Sequence, residues 1–420
     1  MIYDYLILGG GPSGLTLGIE LKRKYGERKS LLVLEKEDEV GGLCRSKEVD
    51  GSPFDIGGGH FLDVRRPAVD EFCFGFLPSD EWNSYDRKST IFIHDKEIDY
   101  PIEANIWQMP KVVQGEYLSA IKEAGANVGE EKPERFTDWI YWKLGDAIAD
   151  NYMLPYNRKM FGRNLDSLGT YWLEKLPNVS YEDTLKSCED KKRYGTDPGH
   201  SQFLYPKKYG YGQMFIKMGE ALSAEGSLMT NAGISRLDLS GDVPEITITN
   251  GDTFKARQVI TTIPWDSFEI IGAPKNIVND ISKLKSSGIV VSYIPENLDT
   301  DAQWIYYPDE EKSFHRILVR HNFCPASKGH WQETNKDRYF EIHSDLAEED
   351  HDGKTYELEE GTFVIPYAYP LNTIDKPNIM EKLLTYMKSK KVIGLGRWGE
   401  HMHYNSDVVM ERAMNLAKEL

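Results

Sequence analysis

The sequence predicts an α/β protein. A parallel-sheet domain is interrupted by a mostly helical insertion and followed by an antiparallel β-sheet domain. Three observations carry this expectation. The first 35 residues run strand, glycine turn, helix, strand, acid. From about residue 65 to 203 the apolar spacing turns helical or mixed. Residues 287–369 alternate and are rich in aromatic residues.

Residues 2–8 form a short apolar run, followed at once by Gly9-Gly10-Gly11-Pro12-Ser13-Gly14. Residues 15–24 read as a helix and residues 31–35 as a buried strand ending in Glu35. This is the dinucleotide fingerprint of a Rossmann-type unit. Gly9 allows the tight turn, Gly11 lets backbone approach a pyrophosphate, and Gly14 lets helix and strand pack closely. The helix N-terminus offers N–H groups and partial positive charge to the phosphates. Glu35 stands where a carboxylate accepts hydrogen bonds from ribose hydroxyls.

A second glycine pair, Gly41-Gly42, and then Gly57-Gly58-Gly59-His60 suggest backbone threading past a flat ring. Residues 67–76, 106–124, 136–152 and 157–172 carry the helical spacing of the insertion, with a hairpin at 91–93 and 97–100 inside it. Residues 183–200 are polar and read as a surface loop. A helix at 213–224, strands at 234–239 and 245–249, and the buried strand 259–264 follow, the last returning to the first domain. Gly394 to Gly399 repeats the glycine spacing, but only about twenty residues remain after it, too few for a second βαβ unit. It is expected to place a helix N-terminus near the first dinucleotide. The resulting division is 1–64, 204–265 and 390–420 for the dinucleotide domain, 65–203 for the helical insertion and 266–389 for the antiparallel sheet.

The chain has 420 residues, 40% of them hydrophobic, an ordinary globular composition. A net charge of −17 argues against a nucleic-acid partner, since phosphate backbones select basic surfaces. No apolar run approaches the roughly 20 residues of a membrane span. The chain opens directly on its first strand, so no signal peptide is expected. The four cysteines, Cys44, Cys73, Cys188 and Cys324, form no Cys-x-x-Cys pair, which suggests neither zinc nor a disulfide framework and fits a reducing, cytoplasmic setting.

Together, Glu35, Gly41-Gly42, the stretch from Phe54 to His60, Thr261 to Pro264 and Gly396-Arg397-x-Gly399 resemble the FAD-binding class that includes amine oxidases, protoporphyrinogen oxidase and UDP-galactopyranose mutase. The middle of the chain looks most like the mutase. Tyr100-Pro101-Ile102-Glu103-Ala104-Asn105 is similar to its Tyr-Pro-Phe-Gln-Asn-Asn, and Pro155-Tyr156-Asn157-Arg158-Lys159-Met160-Phe161 to its Pro-Tyr-Asn-x-Lys-x-Trp. Tyr306-Tyr307-Pro308 with Arg316 ten residues after Tyr306, Tyr369-Pro370 and Asn405-x-Asp407 also match.

The resemblance implies FAD held by Gly9, Gly11, Ser13, Gly14, Glu35, Gly42, Leu43, Arg45, Gly58, Gly59, His60, Thr262, Gly396, Arg397, Asn405 and Asp407. It implies a redox-neutral ring contraction of a nucleotide-sugar, in which reduced flavin N5 attacks the anomeric carbon, with NAD(P)H as a candidate reductant. Arg316 would clamp the diphosphate because a guanidinium fork matches phosphate geometry. Tyr306 and Tyr369 would donate to the phosphates, and Arg87 and His60 would sit by the flavin. Tyr100, Glu103, Asn105, Asn157 and Phe161 would line the base side.

Three departures bear on the substrate. Lys175 stands near the family's second arginine, His403 replaces a diphosphate tyrosine, and Glu103 replaces a glutamine that donates to uracil. An oxidase or desaturase of the amine-oxidase type, and a non-catalytic flavoprotein, remain open beside the mutase. Oligomeric state is open too, a homodimer being compatible with the sequence.

Overall fold

The structure, a computed structural model, describes residues 1–125, 129–173, 179–195, 201–346, 348 and 351–420. Two eight-stranded sheets organise it. In the first, the order is Leu228–Met229, Leu31–Leu34, Ile2–Leu8, Thr253–Thr261, Glu245–Ile248, Ile234–Asp238 and Glu269–Ile271, with Val392–Gly394 also beside Thr253–Thr261. Ile2–Leu8 lies parallel to both neighbours, Leu6 standing opposite Leu32 on one side and Val259 on the other. Strands buried on both faces read as continuous apolar runs, which is why residues 5–8 and 31–34 show no polar alternation.

The helix Pro12–Tyr25 starts on a proline that fits the first turn and ends on Lys22, Arg23 and Lys24, which favour the negative end of the helix dipole. It packs against Gln213–Ala224 and the last helix, Ser406–Glu419. On the opposite face Lys275–Ile281 and Lys376–Ser389 bury Ile277, Ile281, Ile379 and Leu383. The first sheet and its helices therefore take in chain beyond residue 265 and before residue 390, because those apolar faces complete its core.

The second sheet runs Tyr356–Glu359, Thr362–Pro370, Ser286–Ile294, His330–Asn335, Arg316–Leu318, Trp304–Tyr306, Ser89–Ile93 and Lys96–Asp99. The hairpin expected within the insertion is present, but it forms the edge of this sheet, with Ser89–Ile93 parallel to Trp304–Tyr306. The helical stretch Phe136–Ile148, broken at Gly145 where φ is +74°, leads through a π-turn, Ala149–Met153, into Leu154–Phe161. The helix expected at 157–172 stops at Phe161, where Gly162 takes φ +94°. The stretch read as a loop from 183 starts inside a helix, Tyr181–Asp190. Ser180 caps it by accepting from the Asp183 amide at 3.0 Å, and Thr184 and Ser187 turn inward. Residues 196–200 of that stretch lie outside the described residues.

Cys44, Cys73 and Cys324 are buried free thiols and Cys188 a half-buried one. Among the described residues, no helix is long and apolar enough to cross a membrane, and no group of three His, Cys, Asp or Glu side chains is arranged to hold a metal ion.

Candidate functional site

Two cavities meet between the sheets. The first, about 570 Å³, opens at the C-terminal ends of Ile2–Leu8 and Leu31–Leu34 and is lined by Gly9, Gly11, Ser13, Glu35, Gly42, Leu43, Arg45, His60, Thr262 and Arg397. No side chain caps the N-terminus of Pro12–Tyr25, so its first amides face this space. Gly11 and Gly42 lie face to face, a Cβ on Gly11 falling 3.9 Å from the Gly42 Cα. Glu35 is buried at the cavity wall and accepts from the Gly10 amide at 2.6 Å and the Glu37 amide at 3.0 Å. Burial raises its pKa while these two amides pull it back. The carboxylate is thus already oriented by backbone, and only its remaining lone pairs face the cavity.

From the other side of this cavity, Lys36 donates to the Gly353 carbonyl and the Thr355 amide donates to Glu37 at 2.9 Å. Ile365 and Tyr367 of the second sheet line it as well. The Glu37, Lys36 and Thr355 contacts were not legible in the sequence, because they join segments more than 300 residues apart.

The second cavity, about 480 Å³, is walled by the insertion helices and the second sheet. Leu43, His60, Arg397 and Ser406 line both cavities and mark their junction. Arg397 is fixed there by the Tyr404 carbonyl at 2.7 Å and the Ala368 carbonyl at 3.0 Å. His60 Nδ1 is buried and has no partner among the described residues. Burial, with the nearby Arg397 charge, pushes the His60 pKa down to about 4, so the ring is neutral at pH 7.

Beyond the junction stands a cluster of cations and tyrosines. Arg316 Nη2 donates to Glu333 at 2.6 Å and to the Tyr369 hydroxyl at 3.2 Å. The Tyr369 hydroxyl donates to the other Glu333 oxygen at 2.6 Å. Burial alone would raise the Glu333 pKa, but Arg316, with His315 and Tyr369, holds it well below the carboxylate range. Arg87 donates to the Tyr306 hydroxyl at 2.8 Å and stacks 4.9 Å from the Trp304 ring centroid. Tyr306 in turn packs edge-on against Tyr100 and Tyr156. His403 lies edge-on to Tyr369 with ring centroids 5.0 Å apart. Asn157 lines the same space and donates to the Met153 carbonyl at 2.7 Å, and Glu103 and Phe161 line it too.

Several expected residues stand behind the cavity walls. Asn105 is buried and donates to the Pro101 carbonyl at 2.9 Å, so it supports the turn that carries Glu103. Gly14 and Gly396 serve close packing: a Cβ on Gly14 would fall 1.9 Å from the Gly9 carbonyl oxygen, and one on Gly396 2.1 Å from Ser13 Oγ. Gly58, at φ +90°, leaves room for Glu333, whereas Gly59 and Asn405 line the second cavity. Asp407 is buried and ion-paired with Arg66. Lys175 lies outside the described residues. Glu333 is a site residue the sequence reading missed, and Tyr156 one it quoted within a motif without a role. Glu333 lies on His330–Asn335, a mostly polar strand whose burial only the structure shows.

Residues 7–73 match the family model described as an NAD(P)-binding Rossmann-like domain. Coproporphyrinogen III oxidase from Mycobacterium tuberculosis is 27% identical over 174 residues, 39% of this chain and 36% of that one. UDP-galactopyranose mutase from Mycoplasma pneumoniae is 30% identical over 121 residues, 28% of this chain and 29% of that one. The matched segments thus span about a third of these relatives. Among solved structures, reduced UDP-galactopyranose mutase aligns with a TM-score of 0.84 and 21% identity over 100% of this chain and 94% of that one. Wild-type putrescine oxidase bound to putrescine aligns with a TM-score of 0.64 and 15% identity over 100% and 99%. The chain therefore carries a Rossmann-like dinucleotide-binding unit at its N-terminus and, from end to end, has the fold shared by UDP-galactopyranose mutase and putrescine oxidase.

Proposed function

We propose that the protein holds FAD in the first cavity and a nucleotide-sugar in the second, and that it interconverts the pyranose and furanose forms of the sugar. The carrying observation is the junction: a dinucleotide cavity opens through Leu43, His60 and Arg397 onto a cavity whose next layer is Arg316, Arg87, Tyr306 and Tyr369. The first cavity fits FAD on three grounds. The uncapped helix N-terminus suits a pyrophosphate, Gly11 and Gly42 leave the backbone approach open, and the buried His60 Nδ1, at the junction, lacks a partner among the described residues.

When bound and reduced, FAD would supply the nucleophile that carries the sugar while the diphosphate is detached. The chain's own part is positioning and charge. Glu333 occupies Nε and Nη2 of Arg316, and among the described residues no acceptor takes Nη1, which leaves a donor for a phosphate oxygen. Tyr306, held by Arg87, adds a hydroxyl. A clamped diphosphate keeps the reacting sugar carbon at the junction instead of letting it diffuse. Neutral His60 can exchange a hydrogen bond there without adding charge.

An FAD-dependent oxidoreductase is the second reading, favoured by the coproporphyrinogen III oxidase match. One experiment separates them. Dithionite-reduced protein is incubated with UDP-, GDP- and dTDP-sugars, and the products are resolved by chromatography. The mutase reading expects a furanose isomer with no stoichiometric use of reductant or oxygen. Stoichiometric consumption without an isomer establishes the oxidoreductase.

A further inference from the structure

We propose that Asn372 donates a hydrogen bond to a phosphate oxygen of the ligand, its amide nitrogen being turned to the cavity by Lys376. This rests on the second cavity being the nucleotide-sugar site. Asn372 lies just past the strand Thr362–Pro370, lines the second cavity and is 6% exposed. Its backbone is held, since its carbonyl accepts from the Gly169 amide at 2.8 Å. Lys376, the first residue of the helix Lys376–Ser389, is buried behind it. The Lys376 ammonium donates to Asn372 Oδ1, to the His401 carbonyl at 2.8 Å and to Met402 Sδ at 3.4 Å. An ammonium has donors and no acceptor. It can bond only the oxygen of the amide, which fixes the way the Asn372 side chain is turned. Among the described residues no acceptor takes Nδ2, so a donor is left for the cavity that Asn372 lines.

Contacts place this donor near the Arg316 cluster. Met402, which Lys376 touches, and His403 line the same cavity and follow Arg397 of the junction closely in the chain. His403 packs edge-on to Tyr369 at 5.0 Å, and the Tyr369 hydroxyl shares Glu333 with Arg316. Among the described charged side chains lining the cavity, Arg87, Lys143, Arg316 and Arg397 are cations and Glu103 is the one acid. Such a lining draws an anion, and an N–H bonds an anionic oxygen more strongly than a neutral one. Arg316 has given Nε and Nη2 to Glu333, so a diphosphate needs donors from other segments. Asn372 supplies one without bringing a further charge into the cavity wall.

The test is calorimetric titration of the FAD-loaded protein with UDP and with GDP, in wild type, Asn372→Ala and Asn372→Asp. Asn372→Ala removes the donor and is expected to weaken the nucleotide that binds wild type by roughly tenfold. Asn372→Asp keeps an oxygen for Lys376, so it should melt at or above the wild-type temperature. It also turns a second carboxylate oxygen toward the phosphates, and like charges repel, so binding should fall by roughly a hundredfold or more. A role confined to holding Lys376 gives the opposite order, with Asn372→Asp the milder change. Asn372→Asp binding as tightly as Asn372→Ala, or tighter, therefore overturns the inference, as does unchanged binding in both variants. FAD content checks that each variant folds. Should Asn372→Asp lose its FAD, Asn372→Ala is titrated with the parent nucleoside as well. The inference expects the loss with the diphosphate alone, and an equal loss with the nucleoside overturns it. Failure of both nucleotides to bind wild type overturns the nucleotide-sugar reading and this inference together.

Discussion

Arg316 serves two masters, a buried carboxylate and the cavity. Its side chain is 16% exposed and that of Glu333 fully buried. Arg316→Ala therefore removes the proposed clamp and also strands Glu333, and breaking a buried pair from one side costs about 3–5 kcal/mol. We expect turnover to fall by roughly 10²–10³ and the melting temperature to drop with it. Arg316→Ala combined with Glu333→Gln should recover much of the stability, because no unpaired charge remains, but not the turnover. Arg316→Lys should rescue activity only in part, because a point charge cannot hold both Glu333 and a phosphate as the guanidinium fork does. Thermal melts and steady-state rates of the three variants check this. Full activity in Arg316→Ala would remove it from the clamp.

The strand–turn–helix entry unit depends on backbone contact that tolerates no added atom. A Cβ on Gly14 would sit 1.9 Å from the Gly9 carbonyl oxygen and 3.1 Å from its carbon, so the helix Pro12–Tyr25 would have to leave the strand beneath it. Gly14→Ala should yield protein without FAD or without a fold, read by flavin absorbance and circular dichroism. Gly115 makes the contrast. It is exposed within the helix Lys111–Gly125, and a Cβ there meets nothing within 4 Å. Gly115→Ala should keep its flavin and gain roughly 0.5–1 kcal/mol, since alanine loses less backbone entropy in a helix. A Gly14→Ala protein that binds FAD like wild type would contradict the packing argument.

At the scale of the whole molecule, the first cavity is built from both sheets. Glu35 and Thr262 come from the first, Ile365 and Tyr367 from the second, and the Glu37–Thr355 contact ties the two. A ligand filling this space touches both layers, so it should stabilise their arrangement as one unit. We expect the purified protein to be yellow with non-covalent FAD and the stripped protein to melt lower. Returning FAD at about 100 times its Kd should restore about 2.7 kcal/mol by mass action. An apoprotein whose melting temperature does not respond to FAD would refute this.

The sequence by itself determined the dinucleotide unit, because its strand, glycine turn, helix, second strand and acid follow one another within 35 residues. It also showed the antiparallel alternation of the later strands, and its resemblance to the mutase pointed to the tyrosine and arginine positions around Arg316. Only the tertiary structure decided which carboxylate meets that arginine. Glu333 stands opposite Arg316 because two antiparallel strands pair in one register, and a slip of one residue would turn Glu333 to the other face. Local signals likewise showed a hairpin at residues 91–100, but the sheet its edge joined was set by Trp304–Tyr306, some 200 residues away. Glu35 was legible as an acid at a strand end. That two backbone amides already hold it was decided by how the turn folds back upon the strand.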